Sequence, residues 1–479
     1  MMRVMTSNAV KTRFAPSPTG KLHLGNLRTA LFNVLLARRD GGHFLLRIED
    51  SDLARNDASA FDAIAADLRW LGLDWDEGPG IGAPQDWQQS ARAEVYTSAA
   101  DKLLAADAAY WCFCSQQRLA ELRAEQTRQG KAPRYDGCCA SLPRREADDR
   151  RAAGEPAVLR LRMPQTGMLE FNDLVRGQQT VPADALGDPV IQRADGTAAF
   201  LFANALDDGL MGVTHVLRGE DHLSNTPRQQ VLLRQLGLTA PAYGHLSLVT
   251  DEAGAPLSKR SGSAGIAELH AAGYRPEAVL NYLARLGNAG LDEQLHDLDG
   301  LARAFEPSRL ARSPARFDRS QLDHWQSLAM AQADMASLLP ALTADCLPAD
   351  RRESLVALVQ PNIRFAHELN DWAQRLFADE LELSADAVAA IRSRDAEFFG
   401  QIDQALLEAT GEIDWQVWRP RLEALTGCKG GKLMKPLRFA LTGLGHGPAL
   451  GAVINLMVPE TRRTRLQRAA AMAGEADDA

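Results

Sequence analysis

The sequence has no apolar run approaching the roughly eighteen residues that a membrane-spanning helix needs, so no transmembrane segment is expected. The opening "MMRVMTSNAVKT" lacks the continuous apolar stretch of a secretory signal and reads as a frayed extension before the first strand. Six cysteines in 479 residues are too few for a disulfide scaffold. Together these absences predict a cytoplasmic protein. No fixed-period repeat and no low-complexity stretch interrupts the chain, and no pattern marks a dimerisation seam, so a monomer is expected. A G-x-x-x-x-G-K-S/T phosphate loop is also missing: Lys21 follows Gly20, but Leu22 stands where the hydroxyl residue would be. Positive charge is in deficit as well, with 53 Lys and Arg against 62 Asp and Glu.

That deficit is an average, and phosphate contacts depend on local charge. Residues 428–445 carry Lys429, Lys432, Lys435 and Arg438 without an acidic residue, and residues 459–468 carry four arginines against one glutamate. Each patch alone reads as a solvated helix face.

What the sequence does contain is an alternation. "KTRFA" reads as a strand, residues 26–39 as a helix, "HFLLRIE" as a buried strand and residues 57–71 as a helix. Residues 200–249 resume the pattern with "FLFANAL", "GVTHVLR", a helix around 225–236 and "GHLSLVT". Between them, 110–195 has a different texture: paired cysteines, a charged helix at 116–129, and β-like runs "AVLRLRM" and "MLEFNDLV". Beyond about 265 helical periodicity dominates. The fold class expected is α/β: a doubly wound, Rossmann-type parallel sheet with an α+β insertion, then an all-α C-terminal region. The boundaries follow as 1–109 and 196–249 for the two halves of the first domain, 110–195 for the insertion, 250–320 for a connecting domain and 321–479 for the helical region.

"APSPTGKLHLGN" links the first strand to the first helix, where a doubly wound sheet binds phosphates. Pro16, Pro18 and Gly20 shape the turn, while His23 and Gly25 offer an imidazole and an unencumbered backbone position. Some 230 residues later "GAPLSKRSG" places Ser258, Lys259 and Arg260 on a glycine-bounded loop able to close on a polyphosphate.

These stretches, with "FLLRIEDSDLAR", "LGLDWDEGP", "HVLRGEDHLSNTPRQ" and "LMKPLRFALTG" in matching order, resemble the bacterial glutamyl-tRNA synthetases, a class I aminoacyl-tRNA synthetase family. His23 to Asn26 stand for its HIGH signature and Leu257 to Arg260 for its KMSKS signature. The resemblance implies a ligase that joins L-glutamate to tRNA(Glu) through a glutamyl-adenylate, using ATP with Mg²⁺. Charging of tRNA(Gln), and a non-catalytic RNA-binding paralogue, are the alternatives. It implies that His23, Gly25, Ser258 and Lys259 serve catalysis. ATP would lie along Pro16, Ser17, Pro18, Thr19, Gly20 and Asn26, with Lys259 and Arg260 closing over it. For glutamate it implies Arg13 and Arg218 on the carboxylates, Glu49 on the ammonium, and Ser17, Phe200 and Asn204 beside them. Phe200 stands where the family often has tyrosine, and Pro256 where it often has a lysine. The insertion would grip the tRNA acceptor end and the helical region would read the anticodon.

Cys112 and Cys114, followed by Cys139 about 25 residues on, have acceptable zinc spacing, with reduced structural thiols as the alternative. The resemblance adds a Tyr-x-x-x-Cys pair, here Tyr135 and Cys139, giving the ligand set Cys112, Cys114, Tyr135 and Cys139 for one structural Zn²⁺.

Overall fold

The computed structural model describes residues 9–18, 22–51, 58–251, 253–255, 257, 265–409 and 411–474. The expected N-terminal extension and the residues after 474 lie outside this set.

Two compact units emerge: residues 1–271 with 279–319, and residues 272–278 with 320–479. In the first unit, β1 (Lys11–Phe14) pairs in parallel with β2 (His43–Leu46), Arg13 opposite Leu45. The helix between them, α1 (Leu24–Arg39), is buried on most of its surface, including Leu27, Leu31 and Leu35. Its turn into β2 needs Gly42, where a Cβ would stand 2.0 Å from the Val10 carbonyl oxygen. After α2 (Ala58–Trp70) and α3 (Ala93–Ala105) comes the insertion. It contains β3 (Ala109–Cys112), α4 (Gln116–Arg128), α5 (Arg144–Ala152) and β4 (Val158–Leu161), then β5 (Met168–Asp173), β6 (Gly177–Pro182) and β7 (Val190–Gln192). β3, β4 and β7 form an antiparallel sheet, and β5 and β6 form a hairpin.

"FLFANAL" is not the buried strand that its apolar run suggests but the start of α6 (Phe200–Leu210). Asn204, Asp207 and Asp208 of this helix are themselves buried, so polar residues do not mark its outer face and the helical period is hidden. The parallel pair β8 (His215–Gly219) and β9 (Ala242–Leu246) follows, bridged by α7 (Thr226–Gln235), with Arg218 opposite His245. Thr214 N–H donates to the Lys11 carbonyl at 2.9 Å, which sets the start of β8 beside β1. The chain therefore winds outward from β1 through β2 and, in the other direction, from β8 through β9. The gap between β1 and β8 is the switch point, where open parallel sheets hold ligands at their C-terminal edge. Short strands β10 (Val249–Thr250) and β11 (Ala315–Arg316) pair in parallel across helices α8 (Ile266–Ala271), α9 (Pro276–Arg285) and α10 (Leu298–Ala304).

The second unit is helical around one core that includes Leu376, Phe399, Leu437 and Ile454. Trp415 and Trp418 pack against that core. Cys346 and Cys428 sit half-buried in connections between helices. Of the two basic stretches, 428–445 leaves Lys429, Lys432 and Lys435 exposed. The other is divided: Arg463 and Arg468 are exposed, whereas Arg462 donates to the Ile454 carbonyl at 2.8 Å and Arg465 is buried on the Leu441 and Ala378 carbonyls. Buried carbonyls near helix ends need donors, and Arg462 and Arg465 supply them.

Candidate functional site

Loops leaving the C-terminal ends of β1, β8 and β9 enclose a cleft of about 640 Å³ at the switch point. At its outer end stand Pro16, Ser17, His23, Gly25 and Asn26. His23 is the N-cap of α1: its backbone is extended, and its Nδ1 accepts the Asn26 backbone N–H at 3.3 Å. An imidazole thus does what Ser or Asp usually does at a helix start. With Nδ1 occupied as acceptor, the neutral ring carries its proton on Nε2 as a donor. Gly25 has a local reason: a Cβ there would meet His23 Nδ1 at 3.1 Å and Cε1 at 3.2 Å. Glycine leaves the ring its place. Pro18 is buried and does not line the cleft. Thr19, Gly20, Pro256, Ser258, Lys259 and Arg260 lie outside the described residues.

At the inner end the structure brings Arg13, Glu49, Phe200, Asn204 and Arg218 together. All but Phe200 are buried, and they are wired to one another. Arg13 Nε donates to Asp208 Oδ1 at 3.3 Å, and Arg47 Nη1 donates to the same oxygen at 2.6 Å. Arg47 Nη2 donates to Glu49 Oε1 at 3.1 Å, and Asn204 Nδ2 donates to it at 2.5 Å. Asn204 Oδ1 accepts from Gln229 Nε2 at 3.0 Å, whose Oε1 accepts from Arg218 Nη2 at 2.7 Å.

Three guanidiniums against two carboxylates leave this end one positive charge in excess. Burial pulls Arg218 down to about 10, so it stays charged at neutral pH. Burial lifts the Glu49 carboxyl above its ordinary value, with Arg47 and Asn204 opposing. On Asp208 burial works in the same direction but loses to Arg13 and Arg47, which hold that carboxyl below the usual range. The arrangement suits a small ligand with two carboxylates and one cation, the cation restoring to Glu49 the stabilisation that burial removes. Phe200 stacks on His222 with ring centroids 5.4 Å apart.

Arg47, Asp208, Gln229 and Arg28 were not among the residues singled out in the sequence. Arg28 is buried at the cleft wall, donates to the Ser247 and Leu286 carbonyls, and is drawn down to about 10 by burial, with Glu220 opposing. A signal for Arg47 was present: an arginine within "HFLLRIED" must find buried partners. No local pattern marks Arg28 or Gln229, whose partners lie far away in sequence.

A second cluster lies in the insertion. The sulfurs of Cys112, Cys114 and Cys139 lie within 4.8 Å of one another. Tyr135 OH is 3.3 Å from the Cys112 sulfur and 3.5 Å from that of Cys114, and it accepts the Cys139 backbone N–H at 2.9 Å. Zinc–sulfur bonds of about 2.3 Å in a tetrahedron set sulfurs roughly 3.8 Å apart, and Cys114 and Cys139 stand at 3.6 Å. Burial, with Cys112 adding to it, pushes the Cys114 thiol up to about 12. Cys138 is exposed and stays outside the group.

Comparison with known proteins adds a second line. Residues 9–324 match the family described as class I (E and Q) tRNA synthetases, catalytic domain, and residues 328–470 match an anticodon binding domain. A glutamate–tRNA ligase 2 of Alkalilimnicola ehrlichii is 52% identical over 475 residues, covering 98% of this chain and 99% of that protein. A glutamate–tRNA ligase 1 of Halorhodospira halophila is 49% identical over 98% of this chain and 99% of its own. The crystal structure of a glutamate tRNA ligase from Elizabethkingia meningosepticum, in complex with its amino acid, is similar in fold. It superposes with a TM-score of 0.85 at 28% identity, covering 97% of this chain and 99% of that one.

Proposed function

Since this chain belongs to the class I tRNA synthetase family of the glutamate and glutamine enzymes, we propose that it ligates L-glutamate to the 3′ end of tRNA(Glu). One observation carries the choice of substrate. A single cleft joins a charged pocket of Arg13, Glu49 and Arg218 to a helix mouth capped by His23. Arg13 and Arg218 bind the two carboxylates, and Glu49 with Asn204 receives the ammonium. A glutamate carboxylate oxygen then attacks the α-phosphorus of ATP, the bond to diphosphate breaks, and glutamyl-adenylate forms. The terminal ribose hydroxyl of tRNA next attacks the acyl carbon, and AMP leaves. No protein nucleophile takes part. Positioning and charge stabilisation lower the barrier.

The N–H groups at the start of α1 and the His23 Nε2–H are the donors for the ATP phosphates, aided by the α1 dipole. Mg²⁺ travels with ATP, held mainly by phosphates and water. Ser258, Lys259 and Arg260 complete the phosphate grip by resemblance to the family signature. Zinc, held by Cys112, Cys114, Cys139 and Tyr135, ties the start of the insertion to the loop before α5 and has no chemical step.

ATP–diphosphate exchange with glutamate, with and without tRNA, tests the reading. Exchange that depends on glutamate and on tRNA supports it, and robust exchange without tRNA contradicts it. Charging assays with purified tRNA(Glu) and tRNA(Gln) decide the acceptor. Metal analysis finding less than about half an equivalent of zinc removes the metal site.

A further inference from the structure

Behind Arg218 lies a chain of buried groups for which the proposed reaction has so far assigned no work. Arg218 Nε donates to His245 Nε2 at 3.2 Å, and His245 Nδ1 meets Asp173 Oδ2 at 2.5 Å. The side chains of His245 and Asp173 have no exposure to solvent. Arg218 and His245 are cross-strand partners on β8 and β9, but Asp173 ends β5, in the insertion.

Donor and acceptor roles in this chain leave one consistent arrangement. Asp173 Oδ1 already accepts three backbone N–H groups, those of Val175 at 2.9 Å, Arg176 at 2.8 Å and His245 at 3.2 Å. Oδ2 therefore faces the imidazole alone and accepts its Nδ1–H. The neutral ring then presents a bare Nε2 lone pair, at which the Arg218 Nε–H is aimed; the Thr226 hydroxyl, 3.0 Å from the same nitrogen, accepts from Arg218 Nη2 and so can donate its own proton there. Burial favours the neutral imidazole, as does the cation beside it, while Asp173 opposes them. The rest of the guanidinium is fixed in the same way: Nη2 donates to Thr226 Oγ1 at 2.8 Å and to Gln229 Oε1 at 2.7 Å. Nη1 is buried and has no partner among the described residues. It belongs to a residue lining the cleft, so it is the nitrogen held ready for a ligand oxygen.

We infer that Asp173 and His245 are positioning residues: Asp173 fixes the His245 tautomer, and His245 orients Arg218 so that Nη1 meets a carboxylate of the amino-acid substrate. The inserted segment thereby contributes to amino-acid binding through His245 and Arg218. This rests on the reading of Arg218 as a carboxylate-binding residue.

Asp173→Asn tests it with little disturbance of the turn. The amide oxygen must stay with the three backbone donors, so the amide NH₂ faces His245 Nδ1. That forces the ring to carry its proton on Nε2, donor against the Arg218 donor. In steady-state glutamylation of tRNA by the full-length protein, the KM for glutamate is expected to rise at least tenfold. The KM for ATP should stay within about twofold. At the histidine, Asn can keep a donor for Asp173 but loses the acceptor for Arg218, whereas Gln can keep the acceptor. The expectation is that His245→Gln lies nearer the unaltered glutamate KM than His245→Asn.

A glutamate KM within twofold of the unaltered protein in Asp173→Asn overturns the inference, as does a parallel rise in both KM values. If Asp173→Asn does not fold, the histidine pair decides, and equal effects of Gln and Asn overturn the inference. Arg218→Lys is the control for the underlying reading. No change in glutamate KM there removes the role of Arg218, whereas a large change there with none in Asp173→Asn removes only the relay.

Discussion

At the inner end of the cleft Arg13, Arg47, Glu49, Asn204, Asp208 and Arg218 are buried and joined by hydrogen bonds, whereas Ser17, His23 and Asn26 at the outer end are exposed. On the proposed function the two ends answer different ligands. A small zwitterion with three charges must shed most of its water, so its site has to supply fixed charges whose desolvation was met when the protein folded. A triphosphate keeps much of its solvation and its metal, and the free N–H groups of an exposed helix start are enough to hold it. The inner end is therefore part of the fold, and the outer end is mainly a place on it.

This contrast predicts different failures on substitution. Arg47→Met removes a fully buried cation shared by Asp208 and Glu49. It should lower the unfolding free energy by about 3–5 kcal/mol, because two carboxylates are left in a dry site. Urea unfolding checks this, and a loss below about 1 kcal/mol would break the comparison. Gly25→Ala should do the reverse. Its Cβ must push the His23 ring aside, so kcat/KM for ATP is expected to fall about tenfold, or ~1.4 kcal/mol. The unfolding free energy should stay within about 1 kcal/mol, since alanine favours the helix more than glycine does. A large loss of stability without a kinetic effect would show that Gly25 serves packing.

The smallest effect is expected at Phe200, which lines the inner end but takes no part in its hydrogen bonds. Phe200→Tyr should change the KM for glutamate by less than about tenfold, the range of a single hydrogen bond. A hundredfold change in steady-state kinetics would mean the pocket is drawn wrongly.

The outer end was legible because its parts are close in sequence. Pro16, Ser17, His23, Gly25 and Asn26 fall within eleven residues, and the strand–loop–helix context is visible in the pattern. The role of Gly25 was less legible, since only in the folded chain does the His23 ring occupy the space a Cβ there would need. At the inner end the resemblance pointed to Arg13, Glu49, Asn204 and Arg218, but the groups that hold them were not named. Arg47 binds Asp208 across 161 positions, and Asp173 meets His245 across 72. No local periodicity encodes such pairs. The same buried polar residues concealed α6. Likewise, four arginines in 459–468 read as a surface patch, which holds for Arg463 and Arg468 but not for Arg465, buried on main-chain carbonyls.

The sequence by itself determined the strand–helix alternation of the first seventy residues, the turn from β1 into α1 and the cysteine spacing, because each depends on residues a few positions apart. The tertiary structure alone decided which charges face one another. A buried arginine or carboxylate is tolerable only when its partners arrive from distant strands, and the meeting of β1, β8 and the end of β5 brings them there.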